Sequence, residues 1–235
     1  PGTTKIQPAT LSWSNTPFTW YQDPQGHDWS IIYEDIAFHR GKIFALSSRE
    51  NLFTYELVLG KTRLSQTCST SRVEHVIKEG PGGAAMVNTR YVQRHLVTSS
   101  DKQKLLMVRW NIPHVAYVHY SKMNLQVFVA DLKNRRWLEV NDLDGQLLFL
   151  SRTCSRALAG SSTEHYGQTF RGNRVFILGT DWAGIRRRLN PCTCHDCEKL
   201  GNGVPSYCAY DMTSGMLSLV SLRRRRNAGS EWFFP

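Results

Sequence analysis

Phe38-His39-Arg40-Gly41-Lys42-Ile43-Phe44-Ala45-Leu46 is the stretch on which the reading of this chain turns, because it returns as Phe170-Arg171-Gly172-Asn173-Arg174-Val175-Phe176-Ile177-Leu178. In both copies two phenylalanines stand at matching positions, a leucine closes the run, and Gly41 or Asn173 holds the middle. Glycine and asparagine tolerate positive φ best, which a tight connection between strands demands. The unit therefore reads as a strand, a turn and a buried strand, occurring twice.

A second element follows each copy. Leu52-Phe53-Thr54-Tyr55-Glu56-Leu57 matches Tyr207-Cys208-Ala209-Tyr210-Asp211-Met212, and Gln126-Val127-Phe128-Val129-Ala130-Asp131-Leu132 is a third example. Side chains alternate across a strand, so Phe53, Phe128 and Cys208 are expected on one face with Leu57, Leu132 and Met212. Lys133-Asn134 and Thr213-Ser214-Gly215 then supply turns.

Further apolar runs, such as Leu105-Leu106-Met107-Val108, are rich in residues that suit a pleated, half-buried surface. No window of helical length keeps an i, i+3, i+4, i+7 apolar stripe. The class is all-β. Strand-turn-strand units that cannot bury their own faces suggest radially packed blades, and kelch-like blades run about 40–50 residues. A chain of 235 residues has room for about five on that scale. The expectation is a kelch-like β-propeller with an incomplete ring or a shortened N-terminal end; a β-sandwich is the competing architecture. Residues 1–28 read as an N-terminal segment, a remnant of an earlier blade. Residues 29–235 read as the propeller, with an insertion at about 181–205 between the two elements of the later copy.

The composition fits a folded globular chain: 41% hydrophobic, 11% aromatic and 20% charged. A formal charge of +10 favours acidic partners, whether nucleic acid, lipid or protein, without choosing among them. Much of the excess sits in Arg186-Arg187-Arg188 and in Arg223 to Arg226. No apolar stretch approaches the roughly 18 residues of a membrane span, so no membrane partner is expected. The start, Pro1-Gly2-Thr3-Thr4-Lys5, has neither an initiator Met nor an apolar leader, which suggests an incomplete or processed chain. Six cysteines without a secretory context read as reduced thiols, hence a cytoplasmic or nuclear protein.

The residues in order resemble a known family, the plant F-box-associated, kelch-like propeller proteins with a KIB-type β-propeller domain. The matching stretches begin with Asp35-Ile36-Ala37-Phe38 through Leu46, then Arg90-Tyr91-Val92, His95-Leu96-Val97-Thr98-Ser99 and Lys104 to Arg109. They continue through Phe128 to Leu132, Trp137-Leu138-Glu139-Val140, Gly145-Gln146, Leu148 to Arg152, Gly172 to Leu178, Tyr210-Asp211-Met212 and the ending Glu231-Trp232-Phe233-Phe234-Pro235. The resemblance implies a protein-recognition domain that recruits targets to a cullin ubiquitin ligase and catalyses nothing. A Skp-type subunit is a partner only through an upstream F-box, and nothing before Trp13 has that module's Leu- and Pro-bearing helical pattern.

One group has metal-like spacing: Cys192, Cys194 and Cys197, with His195 between them and Cys208 further on. Zinc takes four thiolate or imidazole ligands, usually from two paired knuckles, and a second knuckle is missing. An irregular loop with surface thiols and one core cysteine is the plainer reading. No cofactor is expected, zinc being the single candidate raised. Arg186, Arg187, Arg188 and His195 are the candidate binding residues of the insertion. A basic nucleic-acid- or chromatin-binding propeller is the alternative function, although aromatic residues do not interleave with the arginines as single-strand binding requires.

Catalytic signatures are absent from the sequence, and Gly80-Pro81-Gly82-Gly83 lacks the Lys-Ser/Thr of a phosphate loop. His39, His95, His114, His119 and His165 read as structural or exposed. Trp29, Trp110 and Trp137 are expected to pack between blades.

Overall fold

The computed structural model describes residues 19–22, 28–61, 66–78, 80–81, 90–113, 124–151, 154–160, 172–178 and 207–220. All regular structure among them is strand. The chain divides into two compact units, Pro1–Ile32 and Tyr33–Pro235. The smaller carries a hairpin of β1 (Thr19–Gln22) and β2 (Asp28–Ile31).

In the larger unit, β3 (Tyr33–His39), β4 (Lys42–Ser47), β5 (Leu52–Lys61) and β6 (Gln66–Ile77) form a four-stranded antiparallel meander, the first blade. The hairpin between β3 and β4 closes through Arg40 (φ 48°) and Gly41 (φ 78°). Two successive positive φ values make the turn whose twist matches that of the flanking strands. A second meander follows from β7 (Arg90–Thr98), β8 (Leu105–Pro113), β9 (Asn124–Asp131) and β10 (Arg136–Val140). The third blade contains β11 (Leu147–Leu150), β12 (Arg156–Leu158), β13 (Arg174–Leu178), β14 (Tyr207–Asp211) and β15 (Met216–Val220), in the order β12-β11-β13-β14-β15.

The blades stack through two apolar cores. Phe44, Leu46 and Leu52 of the first blade meet Leu96, Met107, Phe128 and Trp137 of the second. The other face of the second blade, with Val108, Trp110 and Val127, packs on Leu148, Val175, Ile177 and Cys208 of the third. Strand alternation requires this two-sided burial: Met107 and Val108 are neighbours in β8 yet belong to different cores. Each blade is thus one layer of a radial stack.

The repeat has the expected facing. Phe128 and Leu132 share the first core, and Cys208 and Met212 share the second. Both faces look back toward the preceding blade. Phe53 is buried on the face of the first blade that points away from the second, stacked on His75 at 4.4 Å between centroids. The side chain of Leu57 lies outside the described residues. Trp110 and Trp137 pack between blades as expected.

The second copy of the repeat differs in one respect. Asn173 takes the positive φ (62°) and β13 is the buried strand, but its described neighbour on the β3 side is β11, in parallel register from Leu147↔Arg174 to Leu150↔Ile177. Phe170 and Arg171 lie outside the described residues. Leu147-Leu148-Phe149-Leu150 suits a strand covered on both faces, as parallel pairing requires. The approach of the Gly145 backbone to Gly160 and Gly172 explains the two glycines there: a Cβ on either would collide with it.

Candidate functional site

The turns at one end of the three blades form a continuous polar rim. Arg40, in the turn after β3, donates to the main-chain and side-chain oxygens of Gln103, both at 3.0 Å, and so crosses from the first blade to the second. In the turn after β7, the Ser99 amide donates to the Lys104 carbonyl and the Lys104 amide donates to the Ser99 hydroxyl, and Lys102 takes φ 61°. The Ser100 amide donates to Gln146 at 2.7 Å and Lys104 pairs with Asp144, crossing from the second blade toward the third.

Asn173 ties that third position together. Its side-chain oxygen accepts from the amides of Leu143 (3.1 Å) and Gly145 (3.0 Å), its own amide donates to Gln146, and its carbonyl accepts from Met212. This is why asparagine stands where the first copy has Gly41: it tolerates the backbone conformation and also satisfies two amides.

The carboxylates of the rim are occupied by their own turns. Asp131 accepts from the amide and side chain of Asn134 at 3.0 and 2.7 Å. Asp211 accepts from the amides of Thr213 and Ser214 at 3.0 and 3.2 Å. Four residues after each aspartate comes a positive φ, at Arg135 (55°) and Gly215 (67°), so the two turns are versions of one another. Asp101 caps the β7–β8 turn by accepting from Ser99 and from the Gln103 amide.

These bonds hold the aspartates ionised. The Ser99 hydroxyl and Gln103 amide lower the pKa of Asp101, and the side chain and amide of Asn134 lower that of Asp131. Burial pushes Asp211 upward, but the Ser214 and Thr213 amides with Arg174 outweigh it. The exposed cations Arg40, Lys42, Lys102 and Lys133, by contrast, enter no ion pair among the described residues. This end therefore presents ionised aspartates and unpaired cations side by side.

Below the rim, a buried ionic cluster fixes the first two blades to each other. Glu50, in the loop between β4 and β5, is 4% exposed and takes φ 65°. Arg109 of β8, also 4% exposed, reaches its two carboxylate oxygens at 3.2 and 3.0 Å. Arg94 of β7 donates to Glu50 at 2.9 Å and to Glu34 of β3 at 3.1 Å. Gln126 receives Arg109 and Asn111 and donates to Glu139. Arg109 also lies over the Phe128 ring at 4.6 Å. Such a cluster is a joint: the charges are mutually neutralised and buried, leaving no free valence for a ligand.

A family model described as KIB1-4 beta-propeller matches residues 4–211. The chain belongs to the KIB1-4 β-propeller family. The blades above are thus propeller blades, and among the described residues they do not close into a ring. No curated protein and no solved structure matches the chain.

Within this KIB1-4 propeller, Arg186, Arg187, Arg188, Cys192, Cys194, His195 and Cys197 lie outside the described residues. Cys208 is described: it is wholly buried in β14, with its sulfur 3.6 Å from the Ile177 carbonyl oxygen. No group of three or more metal-ligating side chains occurs among the described residues. His39 and His95 are buried, and His114, His119 and His165 lie outside the described residues. The rim cations escaped sequence reasoning because they are scattered singly. The Asp turn repeated after β9 and β14 was a signal for Lys133 alone.

Proposed function

We propose that this chain is a non-catalytic protein-recognition domain, similar in role to the target-binding propeller of plant F-box proteins in a cullin ubiquitin ligase. Membership of the KIB1-4 β-propeller family carries the reading. The pinned turns at one end of the blades support it, because a surface ordered before binding loses little entropy on contact. A Skp-type subunit joins only through an F-box encoded in the same polypeptide. The site of action is the cytoplasm or nucleus, and no cofactor takes part. The insertion at 181–205, with Arg186, Arg187, Arg188 and His195, is a candidate specificity segment, testable by its deletion.

The test is capture of partners on the immobilised chain from nuclease-treated extract, followed by binding of the purified partner. The expected result is a protein bound at about one per chain with micromolar or tighter affinity, typical of specific recognition. Retention of nucleic acid alone, falling steeply with salt, would replace this reading with the nucleic-acid-binding one.

A further inference from the structure

The contacts between the first and second blades change in kind along their joint. At one end Arg94 pairs with Glu34 and Glu50, and Arg109 pairs with Glu50. Further along, the Leu96 amide donates to Asp35 at 2.7 Å and the Thr98 hydroxyl to the Phe38 carbonyl at 2.9 Å. At the turn end Arg40 reaches the two oxygens of Gln103. His39 stands between these last two contacts. It is 1% exposed, and alternation turns it, with Ala37, toward the second blade. Its ring meets Phe44 edge-on at 6.0 Å between centroids, and its Nδ1 has no hydrogen-bond partner.

Arg40 and Lys42 flank His39 on its own hairpin, and Asp35 lies further along β3, accepting from the amides of Ile36 and Leu96. Across the joint, Arg94 is in β7, and Asp101, Lys102 and Lys104 are in the turn that follows it. Asp131 ends β9 and Lys133 follows it; further out, Arg136 pairs with Asp131 and Arg135 with Glu74. Asp101 and Asp131 are ionised, yet neither forms an ion pair with the imidazole among the described residues. The side chain of Glu56 in β5 lies outside those residues.

We infer that this turn end is an acid-operated clasp. A proton taken up by His39 sets a third positive charge beside Arg40 and Lys42, and the joint opens there while the Glu50 end stays shut. A neutral imidazole can be buried with one bare nitrogen, whereas an imidazolium has two N–H groups to satisfy and finds no acceptor at Nδ1. Burial, then Arg40, already holds the His39 pKa below its ordinary value. Opening returns the ring to water and to that ordinary value, so the open form gains as pH falls below 6.5. The Glu50 end resists, because parting its arginines from their shared carboxylate would leave buried charges uncompensated. Such a clasp works whether or not this end binds protein.

Hydrogen exchange of the full chain at about pH 7.5 and about pH 5.5, corrected for intrinsic rates and repeated in low urea, reads this opening directly. Amides at 43–45 and 96–98 should lose protection several-fold on acidification, up to the limit of about tenfold set by one proton. Their exchange should depend little on urea, because a local opening exposes little surface. Amides at 51–53, beside Glu50, should stay better protected and exchange with the steeper urea dependence of larger unfolding. His39→Phe keeps an aromatic ring that takes no proton and should abolish the acid response at the turn end. His75→Phe, on the opposite face of the first blade, should leave it. Melting temperature at neutral pH checks that each variant folds.

An acid response undiminished in His39→Phe, one abolished by His75→Phe instead, or turn-end exchange with the urea dependence seen at 51–53 would each overturn the clasp. NMR titration of the imidazoles in the unsubstituted chain decides without any variant. The His39 ring should titrate below 6.5, and titration at or above that value overturns the clasp as well.

Discussion

Trp137 of β10 donates its indole N–H to the main-chain carbonyl of Glu50, 2.8 Å away and 87 residues earlier in the chain. The bond joins the outermost strand of the second blade to a loop of the first. It acts on the residue whose side chain holds Arg109 and Arg94, so Glu50 is fixed through both its backbone and its carboxylate. Gly80 lies against it so closely that a Cβ there would come within 2.6 Å of the Glu50 side chain. Positive φ is costly for a glutamate, and this ring of partners is what maintains it.

Removing Glu50 should therefore harm stability more than an average substitution does. Glu50→Ala leaves two arginines without their shared counter-charge in a dry joint, a loss on the order of 3–5 kcal/mol. Trp137→Phe keeps the ring and removes only the N–H, at a cost of about 1 kcal/mol. Urea unfolding of the two variants measures both, and equal small losses would show that the cluster is not a joint.

Asn173 offers a cleaner backbone test. Asn173→Gly retains freedom at positive φ but strips the acceptor from the amides of Leu143 and Gly145, and should cost about 1–3 kcal/mol. Asn173→Ala adds conformational strain and should be worse. Asn173→Asp keeps the acceptor but sets a second carboxylate against Asp142, to which the Asn173 side chain donates at 3.2 Å, so it should also lose stability at neutral pH. A denaturant midpoint lower for the Ala than for the Gly variant supports the assignment, while a Gly variant as stable as the parent contradicts it.

Acid should weaken the first blade before it reaches the aspartates. Burial, then the nearby Arg40, lowers the pKa of His39; burial, then Lys78, lowers that of His75. The unfolded chain thus binds protons that the folded chain refuses, from the ordinary value of 6.5 downward. Stability is full above that value and falls as pH drops through it toward the folded values. Melting temperature should decline between about pH 7 and pH 5, less so in His39→Phe. The lowered pKa values of Asp101, Asp131 and Asp211 act in the same direction at lower pH, where stability is lost below the ordinary 3.8.

Cys208 allows the metal question to be put directly. Its sulfur lies in the core beside Ile177, among Val175, Trp110 and Leu148, where a small apolar side chain would serve as well. Cys208→Val should remain folded with stability changed by less than about 1.5 kcal/mol. Zinc content of the purified protein should be well below one equivalent and unaffected by the change. Stoichiometric zinc lost in the variant would place Cys208 in a metal site.

What was legible in the sequence was local. Gly41 and Asn173 marked positive-φ turns, and Phe128 with Leu132 and Cys208 with Met212 marked shared faces, because alternation fixes which residues share a face; which blade each face meets came only from the packing. The partnership of Glu50 with Arg94 and Arg109 was not legible, since these residues are separated by 44 and 59 positions and meet only when two blades pack. Nor was the parallel pairing of β11 with β13, because an apolar run carries no record of its neighbour's direction. β5 also runs on to Lys61 with a register shift at Glu56/Leu57, where the matching runs after β9 and β14 turn at Asp131 and Asp211.

The central claim is that the turn end of these propeller blades recognises protein. Hydrogen–deuterium exchange of the chain, alone and with a purified captured partner, tests it most directly. Exchange should slow in the turns at 40–42, 99–104 and 132–135, with little change in the strand interiors. Protection confined to other segments, with those turns exchanging as in the free chain, would contradict it.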